Sequence, residues 1–101
     1  MNKLKNYSDY LIDSLEDENE ADNYLRVSLE EYYKDRDIHS FLIALKDIAK
    51  ARGGITKLAR ETNLNRENIY RIFSKNGNPR IMTLEKILNN FGLKFSIEMR
   101  K

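Results

Sequence analysis

The chain has 101 residues, no cysteine, one histidine and a net charge of +2. That length suits a single domain burying roughly two thirds of its unfolded surface, enough for a core without covalent or metal staples. Disulfides and thiolate-held metals are excluded, and His39 alone makes no histidine cluster for zinc or for metal catalysis.

The longest uncharged stretch, Ile38–Leu45, falls far short of the ~20 apolar residues of a membrane span. The N-terminus carries no apolar export core, so a cytoplasmic protein is expected. The charge is divided unevenly. Residues 1–37 hold eleven acids and five bases, a net of −6, whereas residues 38–101 hold five acids and thirteen bases, a net of +8. A basic stretch suggests a polyanionic partner, and an acidic one suggests a basic partner or a mobile tail. Chance clustering on a solvated surface is the plainer alternative.

In chain order, Met1–Glu16 is weakly patterned, although Tyr7, Tyr10, Leu11 and Leu15 can form one apolar stripe of a short helix. Asp17 and Glu20 read as a capping box for the next helix. That helix has Ala21, Tyr24, Leu25, Leu29, Tyr32 and Tyr33 at three-four spacing, with acids at its start and Lys34 and Arg36 at its end, as the helix dipole favours. Its tyrosines are expected in the core and at its rim. Asp37 is the next N-cap candidate, with His39 exposed in the first turn. Ile38, Phe41, Leu42, Leu45, Ile48 and Ala49 then repeat at helical spacing until Gly53-Gly54.

Two short helices follow, Thr56–Thr62 and Arg66–Phe73, joined by Asn63-Leu64-Asn65. Residues 74–82 read as a loop broken by Asn-Gly and Asn-Pro. Thr83 is expected to cap a helix carrying Leu84, Ile87, Leu88 and Phe91, ending at Gly92. From Leu93 to Arg100 apolar and polar residues alternate, the period of a half-buried strand. Such a strand needs a partner for its backbone: a symmetry mate, the Lys3–Tyr7 stretch or another protein. Leu93, Phe95, Ile97 and Met99 share one face and are expected to serve dimerisation. The expected fold is mainly α, a small helical bundle in one domain with a short C-terminal β-strand.

The pair of short helices carries the chemistry. Leu58, Ala59, Leu64, Ile69, Ile72 and Phe73 form a buried skeleton, with small Ala59 permitting close approach of the second helix. Glu67, Tyr70, Arg71 and Ser74 then point outward, and Arg66 projects from the first turn. This is a helix-turn-helix, whose second helix enters the major groove N-terminus first. Arg66, Glu67, Asn68, Tyr70 and Arg71 are expected to read bases, since Arg pairs bidentately with guanine, Asn with adenine, and Glu accepts from cytosine N4. Thr56, Lys57, Lys75 and Asn76 flank them where phosphates lie. Glu67 and Arg71 also have the spacing of a helix-stabilising ion pair. No phosphate loop, metal cluster or nucleophile–base set is visible, so neither an enzyme nor a cofactor is expected.

The run ALKDIAKARGGITKLARETNLNRENIYRIFSKNGNPRIMTLEKILNNFGLKF, from Ala44 to Phe95, resembles the XRE/Cro-type helix-turn-helix of the addiction-module antidote (HigA-like antitoxin) family. The marks are Ala51–Thr62, Asn65–Tyr70, Gly77–Leu84 and Phe91-Gly92-Leu93. The likeness is looser over Asp9–Asp37, where Tyr10-Leu11 and Tyr24-Leu25 sit in an acidic segment. Asn63 replaces a glycine common at that turn; Asn tolerates left-handed backbone well.

The resemblance implies a dimeric helical bundle that binds its own operator DNA and neutralises a RelE-like ribonuclease encoded beside it. RNA-cleaving toxins tend to be basic, which makes Asp9, Tyr10, Asp13, Glu16, Asp17 and Glu20 the candidate toxin contacts. The alternative is a stand-alone phage-type repressor, which gains nothing electrostatically from acids near DNA.

Overall fold

The computed structural model describes residues 7–100. Six helices follow one another: α1 Tyr7–Ser14, α2 Glu18–Asp35, α3 His39–Ala51, α4 Ile55–Thr62, α5 Arg66–Ile72 and α6 Ile81–Asn90. The Lys3–Tyr7 stretch considered as a partner for the tail lies, apart from Tyr7, outside the described residues.

α3 is the centre of the fold because its apolar residues occur on nearly every side. Phe41, Leu42, Ala44, Leu45, Ile48 and Ala49 are all buried, and α1, α2 and α4 all pack on it. α5 and α6 both pack on α4. Leu15, just past α1, is fully buried and Leu11 of α1 is half-buried, whereas Tyr7 and Tyr10 of the expected stripe remain exposed.

The cap of α2 forms in half. The Asp17 carboxylate accepts the N–H groups of Asn19 at 2.8 Å and Glu20 at 3.4 Å. The Asp17 N–H, however, donates to the Ser14 carbonyl at 3.1 Å, which occupies the donor that Glu20 was expected to take. α2 ends at Arg36 in left-handed backbone, φ 60°, with its guanidinium 5.7 and 5.4 Å from the ring centres of Tyr32 and Tyr33. Asp37 accepts the N–H of His39 at 2.9 Å, as its place before α3 suggests. His39 itself is half-buried rather than exposed, and its Nδ1 is shut off from solvent without a partner.

Polar ties link the layers. The Tyr24 hydroxyl donates to Asp47 at 2.7 Å, joining α2 to α3. Burial and this carboxylate push the Tyr24 hydroxyl above the ordinary tyrosine range. Arg52, just past α3, donates to the Phe91 carbonyl at 2.8 Å and lies 5.8 Å from that ring's centre.

Two expectations need correction. Thr83 does not cap α6: the helix starts at Ile81, with extended Arg80 (φ −72°, ψ 154°) at the N-cap position. Ile81 and Met82 are 69% and 73% exposed, so no apolar periodicity marks the first turn, and Thr83 N–H already donates to the Arg80 carbonyl at 3.1 Å. The second concerns the tail. Among the described residues Leu93–Arg100 forms no strand, because a ladder needs a second strand and the described part of the chain supplies none. Leu93 belongs instead to the end of α6. Gly92, at φ +80°, lets the chain reverse so that Leu93 N–H donates to the Leu88 carbonyl at 2.8 Å and Gly92 N–H to Asn89 at 3.0 Å, a Schellman cap. The four residues expected to share one face are therefore separated: Leu93 is half-buried, Phe95 is 42% exposed, and Ile97 and Met99 are almost wholly in solvent.

Candidate nucleic-acid interface

Two short helices, α4 and α5, and the tight turn between them form from the expected residues. Ile55, Leu58 and Ala59 bury one side of α4. Asn63 ends it in left-handed backbone, φ 58° and ψ 30°, the conformation for which glycine or asparagine is suited. Half-buried Leu64 packs against the core. Asn65 then caps α5, its side-chain oxygen accepting the N–H groups of Glu67 at 2.7 Å and Asn68 at 3.3 Å. Ile69, Ile72 and Phe73 anchor α5, at 0%, 4% and 5% exposure.

That anchoring decides what faces outward. Arg66, Glu67, Tyr70 and Arg71 are exposed and Asn68 is half-exposed, so the five expected base-reading residues stand on the accessible side of a short, capped helix. Arg66 is ordered along it: its guanidinium lies 5.9 Å from the Tyr70 ring centre and 3.5 Å from the hydroxyl. Glu67 and Arg71 make no ion pair with one another, which leaves both heads available. Thr56 and Lys57 on the first turn of α4, and Lys75 and Asn76 after α5, are exposed as expected of phosphate contacts.

The loop behind α5 is held by Gly77. It is buried, and a Cβ there would collide with the Ile72 carbonyl and press on Leu42. Only glycine lets this loop pass so close to the end of α5. Arg80 is exposed just beyond it, at the start of α6.

The expected toxin contacts divide into two kinds. Asp9, Tyr10 and Asp13 lie exposed on α1, and Glu16 and Glu20 are exposed beside the start of α2. Asp17 is engaged in capping α2. An exposed apolar surface on α2 was not expected from the sequence. Leu29 and Tyr33 belong to the apolar stripe of α2, yet they are 37% and 68% exposed. With Phe95 they wall an open trough of about 420 Å³. The stripe of α2 is wider than its contact with α3, and that excess width was the signal in the sequence.

Among the described residues no group of acids and histidine could hold a metal ion, and no helix is long and apolar enough to cross a membrane.

A family model described as "Probable addiction module antidote protein" matches residues 4–99. A protein of Haemophilus influenzae (strain ATCC 51907 / DSM 11121 / KW20 / Rd), named only as an uncharacterized protein, is 31% identical over 81 residues, covering 80% of this chain and 82% of the relative. No solved structure matches the chain. With nearly its whole length matched, the chain belongs to the family of probable addiction module antidote proteins.

Proposed function

We propose that the chain is a HigA-like, XRE/Cro-type antitoxin that represses its own operon by binding operator DNA and that neutralises a RelE/HigB-like ribonuclease toxin. The observation that carries the DNA half is the accessible row Arg66, Glu67, Asn68, Tyr70 and Arg71 on a helix whose other side is buried. In this reading Arg66 and Asn68 bond to base edges from the first turn, and Tyr70 holds the Arg66 guanidinium in line. Thr56, Lys57, Lys75 and Asn76 fix the register on phosphates. Two copies bound about a two-fold axis set two α5 helices ~34 Å apart in successive major grooves, as a palindromic operator requires.

The toxin half rests on family membership and on charge. The acids of α1 and early α2, Asp9, Asp13, Glu16 and Glu20 with Tyr10 among them, offer a negative surface for a basic toxin. The protein works by binding in the cytoplasm, without cofactor or turnover.

The test is operator binding measured across salt concentration. Arg66→Ala costs about 1–3 kcal/mol of specific affinity. Lys57→Ala or Lys75→Ala weakens binding to all sequences and reduces the salt slope by about 1. An Arg66→Ala chain with wild-type operator affinity refutes the assignment of α5 as the reading helix. Co-expression with the product of the adjacent gene tests the toxin half: a complex that survives purification supports it, and its absence refutes it.

A further inference from the structure

The trough beside α2 is an unpartnered surface of definite chemistry. Its floor is Leu25, Phe41 and Leu88, and its walls are Leu29, Tyr33 and Phe95. Those walls are 37%, 68% and 42% exposed, so the apolar interior opens to solvent. Two carboxylates stand at its edge, Glu30 on the α2 side and Glu98 on the tail side. Among the described residues neither has a cation at ion-pair distance. Lys94 and the mutually paired Arg26 and Asp22 also line the trough, and neither cation pairs with Glu30 or Glu98. The tail wall adds open backbone: from Lys94 to Arg100 no backbone N–H or carbonyl makes a hydrogen bond among the described residues.

We infer that this trough, rather than the α1 acids alone, is the principal docking site for the toxin, and that it takes a basic segment carrying an apolar side chain between lysines or arginines. The inference rests on the antitoxin reading above and names the surface that reading leaves open. An apolar side chain fills the floor, flanking cations reach Glu30 and Glu98, and an extended segment can bond to the open backbone of the tail. Tyr33 is the residue type that dominates such contacts: a large ring with little side-chain entropy to lose.

Charge selects the occupant. α2 carries six acids and two bases, and both bases are already paired within the helix, Arg26 with Asp22 at 3.0 Å and Lys34 with Glu31 at 3.9 Å. A second copy seated here about a two-fold axis brings its own α2 towards this one, acid against acid. DNA is repelled for the same reason. A basic protein is attracted. The place also fits a partner distinct from the operator: α2 makes its main contacts with α3, and α5 makes its with α4.

The test uses the full chain and the purified toxin encoded beside it, titrated by calorimetry, with operator binding and sedimentation measured on the same preparations. Two double variants are made, Leu29→Ser with Tyr33→Ser, and Glu30→Lys with Glu98→Lys. Every altered side chain is exposed, and unchanged melting curves verify the fold. Each variant should bind toxin at least about tenfold more weakly, with operator affinity and sedimentation unaltered. Wild-type toxin affinity in both variants overturns the inference while leaving the antitoxin reading intact. A variant that changes the monomer–dimer balance but still binds toxin normally overturns it in favour of a second copy as the occupant. A wild-type chain that binds operator but no toxin overturns the antitoxin reading, and this inference with it.

Discussion

Asn65→Ala probes how far a single cap sets α5, the proposed reading helix. α5 has seven residues, barely two turns, and its first turn holds Arg66, Glu67 and Asn68. Asn65 satisfies two of the otherwise unpaired N–H groups there. Alanine keeps the backbone but leaves both donors to water, which costs about 1 kcal/mol. For a domain of this size that corresponds to a fall of about 4–8 °C in Tm. The same energy lowers the population of the ordered first turn relative to its frayed form by about fivefold, which bounds the loss of operator affinity through this route. Asn65→Asp separates the two effects. Its carboxylate caps as well as the amide, so Tm holds, while its negative charge beside the phosphate backbone weakens DNA binding. Thermal melts followed by circular dichroism, with operator titrations on the same samples, read both quantities. An Asn65→Ala chain melting within about 1 °C of wild type refutes the cap as a support of α5.

Two further substitutions test the frame around this site. Tyr24 has a folded-state pKa raised by burial and by Asp47, so its stabilisation is fully present below the ordinary tyrosine pKa of about 10 and is lost as pH rises through the raised value. Tyr24→Phe should cost about 1 kcal/mol at neutral pH and flatten the alkaline fall in stability above about pH 10, as denaturant titrations at several pH values would register; an unchanged alkaline slope counts against the Asp47 bond. Gly77→Ala forces the loop away from the Ile72 carbonyl and should destabilise by about 1–3 kcal/mol, the cost typical of overpacking; a melt unchanged from wild type refutes the close approach.

The helices were legible because their punctuation is chemical and local. Asp17, Asn63, Asn65 and the Gly53-Gly54 pair mark helix ends that the structure places within one or two residues of the expected positions. The exposed face of α5 was legible for a related reason: once Ile69, Ile72 and Phe73 are buried, helical geometry alone turns Arg66, Glu67, Tyr70 and Arg71 outward. The errors arose where a neighbour had to be known. Period-two alternation in residues 93–100 is necessary for a strand but does not supply the second strand that makes one. The apolar stripe of α2 shows that Leu29 and Tyr33 can be buried, yet α3 is too narrow to cover them along with Ala21, Leu25 and Ser28. Thr83 was a good cap by residue type, but the turn before it was already helical. Arg52 left no local trace at all, since its partner Phe91 is 39 positions away in the chain.

The order of packing, α1 and α2 on α3, α3 on α4, and α4 beneath α5, has a consequence for the DNA binding proposed above. Net negative charge resides in the first two helices and net positive charge in the remainder, with α3 and α4 between the acidic helices and α5. The protein is thus an electric dipole, and the field of a polyanion exerts a torque on it as well as a pull. For the DNA binding proposed above, encounters would start with α5 turned towards the duplex and the acidic helices trailing, so that a larger share of collisions is productive than net charge alone allows. Within about 10 Å at 0.1 M salt this orientation is imposed before contact, and added salt shortens that reach. On the two proposals above, the same polarity would leave α2 facing solvent while α5 is engaged, so that a toxin arriving from solution meets the trough unobstructed.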